Sequence, residues 1–274
     1  MCARPNPAPS SRRFIERRPP RLLPLLLATC ALLPAAPSPA GAAEPQTIVD
    51  FASIPDVGAG DPFVAWMRRM PWNVRFGGPT FFSIEKGALH LIARPGPMAS
   101  SNLLWRLLKR EDKVLVQLTP DGFRLQPAAL RHVEVQMAPL RLPGKGADVT
   151  DSARNDACFY LLVSFDGPRH FFEGRRVADT VAYVWADGPW QTGAAVGRER
   201  KYGAFMRYIA IGRGPDRLGQ LRTWVRDIDA DFRQAFPERA TGGVPDVVEV
   251  GLMIDSNTVK SEAESLLRSV RFLP

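Results

Sequence analysis

Histidine is scarce in this 274-residue chain, which has His90, His132 and His170, each isolated in sequence. A zinc site usually gathers His, Cys or carboxylate ligands at short, regular spacing, and a nucleophilic triad needs a histidine held by an acid. Single histidines on strand-like segments supply neither signature. No HExxH, GxSxG, paired CxxC or P-loop pattern occurs either. Gly212-Arg213-Gly214 reads as a turn, and with no helix directly after it the glycines do not build a phosphate cradle. Cysteine is nearly absent as well. Cys2 and Cys30 lie in the first segment, and Cys158 sits in the apolar run CFYLLVSF, where a structural thiol is expected rather than a nucleophile. With Cys158 alone in residues 44–274, no intramolecular disulfide is available to that part.

A long apolar run is missing too. The nearest is Leu22–Ala36, shorter than the about 20 residues a membrane span needs. Arg4, Arg12, Arg13, Arg17, Arg18 and Arg21 precede it and Ala40-Gly41-Ala42 follows, which together form the basic flank, apolar segment and small-residue cleavage site of a secretory leader. Residues 1–43 are therefore expected to be a signal peptide, and the mature chain to be periplasmic or secreted with no transmembrane span. Ser11-Arg12-Arg13-Phe14 and Leu27-Ala28-Thr29-Cys30 are imperfect versions of a twin-arginine signal and a lipoprotein box. The chain carries a formal +8, but six arginines and one glutamate lie in residues 1–43, leaving +3 for residues 44–274. Those remaining charges are interspersed, with no concentrated basic face, so nucleic acid is not an expected partner.

Residues 44–274 are expected to form one domain. Short strand-like runs separated by Gly/Pro/Asp turns recur along it: 81–84, 88–93, 114–118, 132–137, 158–165, 180–186, 205–211, 247–254 and 266–272. In His132–Met137, Val133, Val135 and Met137 alternate with His132, Glu134 and Gln136, the pattern of a strand with one buried face. Leu103–Leu108 fits strand or helix equally. Helical signals are few: Pro62–Met70 after Asp61, and Trp224–Phe236, which starts with strand alternation and then changes period. There Ile228, Phe232 and Phe236 fall on one helix face, Asp227, Asp229 and Asp231 suit the N-terminus, and Pro237 stops it. Without a βαβ rhythm, the expected fold class is all-β and mainly antiparallel: a two-sheet, jelly-roll-like β-sandwich with one short crossing helix.

Aromatic residues give the first candidate site. Tyr183, Trp185 and Trp190 cluster around the turn Asp187-Gly188-Pro189, and Trp224 opens the crossing segment next to Arg226 and Asp227. Tyr183 and Trp185, two apart on a strand, share a face. Rings on a sheet face can stack on sugars, although a sandwich also uses tryptophan in its core. Tyr183, Trp185, Trp190, Trp224, Arg226 and Asp227 are thus the candidate ligand-binding residues for a glycan or another cell-envelope ligand. The second reading is a glycan hydrolase or lyase with paired carboxylates on a concave face, drawn from Glu134, Asp227, Asp229 and Glu249. A third is a scaffold for another envelope protein. No cofactor is called for. Oxygen ligands in Asp255-Ser256-Asn257 and Asn155-Asp156 suit a structural Ca²⁺, and turn chemistry accounts for them equally.

Ordered residues along the chain resemble a known family. Arg154-Asn155-Asp156-Ala157, Tyr183-Val184-Trp185, Trp224-Val225-Arg226-Asp227-Ile228, Asp231-Phe232-Arg233, Phe236 and Gly251–Thr258 together resemble the secreted bacterial proteins called domain of unknown function 3047. Asn155 stands where that family tends to have Asp, Phe232 where it has Tyr, and Ser256-Asn257 where Asp-Asn is usual. The resemblance implies an exported single β-rich domain and assigns no reaction.

Overall fold

The computed structural model describes residues 43–67, 69–70, 73–76, 82–94, 113–119, 122–144, 146–151, 153–172, 175–187, 195–196, 205–215, 217–256 and 258–274. Residues 42–274 form one compact unit. Thirteen strands are described: β1 (Gln46–Asp50), β2 (Asn73–Phe76), β3 (Ser83–Glu85), β4 (Ala88–Ala93), β5 (Lys113–Gln117), β6 (His132–Arg141), β7 (Ala157–Phe172), β8 (Arg175–Ala186), β9 (Ala195–Val196), β10 (Met206–Arg213), β11 (Arg222–Asp227), β12 (Val247–Asp255) and β13 (Ala263–Leu273). Two α-helices accompany them, α1 (Asp61–Met67) and α2 (Ile228–Ala235), with 3-10 turns at Phe51–Ser53 and Pro237–Gly242. Leu103–Leu108 lies outside the described residues.

Sheet A runs β11-β6-β13-β4-β3, with β1 also on β13, and sheet B runs β2-β5-β12-β7-β8-β10-β9. From β4 onward the chain mostly crosses from one sheet to the other. The segments β4-β13-β6-β11 and β5-β12-β7-β8 therefore face each other as the two four-stranded halves of a jelly roll. The pairings are antiparallel except for β8 with β10, which run parallel. The all-β sandwich expected from the turn spacing is the observed architecture.

Alternation decides which side chains meet. Val133, Val135 and Met137 of β6 face Phe159, Leu161 and Val163 of β7 and Val181 of β8 across one inter-sheet core. The opposite face of sheet B carries Tyr160, Leu162, Val184, Tyr208 and Met253, a second buried cluster with Val149. Strand β7 is thus apolar on both sides, as its continuous run requires, and lies between β12 and β8. In the β3–β4 hairpin, Lys86 (φ 53°) and Gly87 (φ 72°) both take left-handed conformations, the geometry of a two-residue type I′ turn. A Cβ at Gly87 would also lie 3.0 Å from Ala52 Cα.

Helix α2 closes one end of the core. Asp227 caps it, accepting from Ala230 N–H, and Ile228, Phe232 and Phe236 all join the inter-sheet core. Phe232 packs against Phe165, with centroids 4.5 Å apart and planes tilted by 49°. Burying each such side chain contributes about 1.5–3 kcal/mol. Among the described residues no helix is long and apolar enough to cross a membrane.

Candidate functional site

Strand β11 is an end strand of sheet A, hydrogen-bonded to β6 with Trp224 opposite Val135. Arg222, Trp224 and Arg226 alternate onto its inner side, and Thr223 and Val225 onto its exposed outer side. Across the sandwich, β8 presents Tyr183 and Trp185 from the same inner face. Trp185 and Trp224 meet edge to face, with centroids 5.3 Å apart and planes at 82°. The seam between the two sheets therefore holds a tryptophan from each.

Trp185 is fixed on three sides. It is 3% exposed, its Nε1 donates to the Gly214 carbonyl at 3.2 Å, and its ring lies flat on Gly212, where a Cβ would come within 2.3 Å of Cε3 and Cζ3. Only glycine admits the ring there. Trp224 is half-buried and packs against the core rather than inside it. Tyr183 and Trp185 do share a face, as two-residue spacing on a strand demands. That face is the interior of the sandwich, so these two rings offer no open surface to a ligand in this conformation. Their place is beneath Trp224.

Arg226 extends from β11 to α2 and grips Asp231 with two hydrogen bonds, one of them Nε to Oδ2 at 2.9 Å. Burial alone would lower the affinity of that guanidinium for its proton, and the Asp231 carboxylate more than offsets this, leaving its pKa raised. Asp231 is itself 2% exposed. The Tyr183 hydroxyl is buried beside Asp231 but outside hydrogen-bond geometry. Its pKa is pushed well up, first by burial and then by the Asp231 carboxylate. Asp227 turns to the other side of the strand, accepting from Arg131 at 2.7 Å and from Ala230 N–H at 2.9 Å. Burial works against its charge, but those hydrogen bonds hold its pKa below the usual carboxylate value.

Five of the six sequence-derived candidates, Tyr183, Trp185, Trp224, Arg226 and Asp227, thus lie around this seam. Trp190 lies outside the described residues. Asp231 and Gly212 complete the cluster. In the sequence Asp231 reads as a helix N-terminal acid and Gly212 as part of a turn: Arg226 is only five residues from Asp231, but the bend from β11 into α2 that joins them is not written in the spacing, and Trp185 is on another strand from Gly212.

The carboxylates do not converge. Glu134 lies on the outer face of sheet A, where Arg271 Nε donates to it at 2.9 Å. Glu249 lies on the outer face of sheet B, the side that also carries Met253 and Tyr160. The two are on opposite outsides of the sandwich and cannot flank one bond. Asp229 is held by Arg233 at 2.8 Å. Asp156, the calcium candidate, is fully buried and accepts from the backbone N–H groups of Thr258 (2.9 Å) and Val259 (2.7 Å). Asn155 Oδ1 accepts from Thr258 Oγ1 at 3.0 Å, so both residues tie the start of β7 to the segment after β12 rather than making local turn bonds, and Asn257 lies outside the described residues. Among the described residues no three His, Cys, Asp or Glu side chains converge. Cys158 is buried, with its thiol pKa raised by desolvation, as a structural thiol should be.

Comparison with known proteins gives a family match over part of the chain. No curated protein matches the chain. Among solved structures, an agarase, AgWH50C, aligns with TM-score 0.33 and 9% identity over 84% of this chain and 24% of that one. A second structure, PfGH50B, aligns with TM-score 0.29 and 8% identity over 74% of this chain and 22% of that one. The chain spans about a quarter of the length of each, and likeness of this degree says nothing of what it binds. Residues 141–271, which contain β7 through β12 and the whole seam, match the family described as "Protein of unknown function (DUF3047)", and the resemblance read from the sequence is borne out.

Proposed function

We propose that the protein is an exported, periplasmic or secreted, non-catalytic β-sandwich that binds a glycan of the cell envelope along strand β11. The observation that carries this reading is Trp224: a half-buried ring at an end strand, backed edge to face by the buried, hydrogen-bonded Trp185. A ring held in place loses little entropy when a sugar stacks on it. Arg222 and Arg226 flank it on the same side of the strand, offering guanidinium donors to hydroxyl or acidic groups. Tyr183, Trp185 and Asp231 act from below, fixing the positions of Trp224 and Arg226.

A hydrolytic role has less support. General acid catalysis needs a carboxyl group that stays protonated near neutral pH. Asp227 is instead held in its charged form by Arg131, and Glu134 and Glu249 are on opposite faces. A microarray of envelope polysaccharides tests the reading, using the full chain and Trp224→Ala with near-ultraviolet circular dichroism as the folding control. Binding by the native chain and its loss in a folded Trp224→Ala are expected. Glycan binding that Trp224→Ala leaves untouched would refute the site. Absence of any glycan binding would refute the function.

A further inference from the structure

Resting on that reading, we infer that the seam takes an anionic sugar, one bearing a carboxylate or sulfate, with the acidic group at Arg222. Charge bookkeeping around Trp224 carries the inference. Four arginines on the elements around Trp224 are committed to an acid: Arg226 to Asp231, Arg131 to Asp227, Arg271 to Glu134 and Arg233 to Asp229. Arg222 differs. It is only partly exposed, yet its partner among the described residues is a neutral amide, Gln220 Oε1 at 2.8 Å. A half-buried guanidinium without a counter-ion has lost part of its hydration and gained no opposite charge in return. An anion at that point would supply it.

Position makes the anion part of the proposed ligand. Arg222 and Trp224 are two residues apart on one side of β11, about 6.6 Å along the strand, a separation spanned by a sugar ring and an acidic substituent on it. Arg226, on the other flank of Trp224, is already neutralised, so the acidic group lies toward the β10–β11 loop. The sequence in that direction is basic: residues 212–222 contain Arg213, Arg217 and Arg222 against the one acid Asp216. The loop is also tied to the seam, through Gly214 O with Trp185 and through Gly219 N–H with Pro139 O at 2.7 Å. Guanidinium groups suit both carboxylate and sulfate because two N–H donors can engage two oxygens at once.

Isothermal titration of the full chain tests this with polygalacturonate and dextran sulfate against the neutral polysaccharides galactan and dextran. Binding to one or both polyanions, tenfold or more over the neutral chains, is expected, and the stronger of the two identifies carboxylate or sulfate as the group. Arg222→Gln should weaken polyanion binding by roughly tenfold or more, the loss expected for a hydrogen bond to a charged group, and Arg222→Lys by less. Arg268→Gln removes the same charge from an exposed position on β13 and should change binding less than twofold, separating the site from general attraction between a cationic protein and a polyanion. Equal affinity for neutral and charged glycans, or equal losses in Arg222→Gln and Arg268→Gln, would overturn the inference and leave glycan binding at Trp224 standing. Failure to bind any of the four, with other glycans also negative, would overturn both.

Discussion

Replacing Gly212 by alanine should destabilise the protein, although the same change on an open strand would stabilise it. Alanine restricts the unfolded chain, and where the native backbone accepts it the gain is about 0.4–1 kcal/mol. Gly212 is absent from the positive-φ glycines, so its backbone raises no objection. The obstacle is Trp185. A Cβ would lie 2.3 Å from two of its ring carbons and 2.6 Å from a third, against about 3.5–4.0 Å for an ordinary carbon contact. The ring would have to retreat by more than about 1 Å, yet it is tethered to Gly214 O and abuts Trp224. Overpacking of this kind costs about 1–3 kcal/mol, and an overlap of this depth belongs in the upper half of that range, so the net loss should be about 1–2.5 kcal/mol after the entropic gain. Urea unfolding followed by tryptophan fluorescence measures it. Pairing the change with Trp185→Phe should show a favourable coupling energy, because the smaller ring relieves the clash. A neutral or stabilising Gly212→Ala would mean that the ring does not rest on the glycine, and the account of how Trp224 is backed would fail.

Three further outcomes follow from the same geometry. Asp231→Asn leaves Arg226 without its counter-ion; loss of one partner of a fully buried pair costs about 3–5 kcal/mol, and partial exposure of Arg226 brings the expected loss to about 2 kcal/mol by thermal or chemical unfolding. Asp156→Ala frees the N–H groups of Thr258 and Val259, and should lower stability by about 2 kcal/mol with faster hydrogen exchange at those two amides. Stability should also fall on acidification, beginning below about pH 4.5. Asp227 and Asp166 have folded pKa values below their ordinary 3.8, and Glu238 below its ordinary 4.5. The unfolded chain then binds more protons than the folded one as pH drops through that window, so the contribution is complete above it and lost within it. The causes are hydrogen bonds from Arg131 and Ala230 N–H to Asp227, from Arg124 to Asp166, and from its own backbone N–H and then Arg207 to Glu238; unfolding free energy that stays flat down to pH 3 would contradict them.

The fold was legible where one physical rule acted locally. Alternation placed β6, and the two-sided apolar run placed β7 in the middle of its sheet. The change of period at Ile228, Phe232 and Phe236 located α2 within the crossing segment. The parallel pairing of β8 with β10 was not legible, since sequence pattern carries the direction of a side chain but not the neighbour of a strand. Site residues divided in the same way. The spacing of Tyr183 and Trp185 fixed a common face but not whether that face looked inward, because both faces of β8 are apolar. Asp231 acquires its role from Arg226 through the bend where β11 runs into α2, and Gly212 acquires its role from Trp185 on another strand. Arg222 was unremarkable among interspersed charges until the neighbouring arginines were seen to be matched one by one to acids.

Hydrogen–deuterium exchange of the full chain, with and without a saturating bound polysaccharide, locates the binding face. Binding at Trp224 should slow exchange only in β11 and the loop from Gly212 to Leu221, with α2 affected only at its first turn. Protection appearing instead on β4 and β13, or on the strands of sheet B that carry Glu249, would contradict it and move the binding face away from Trp224.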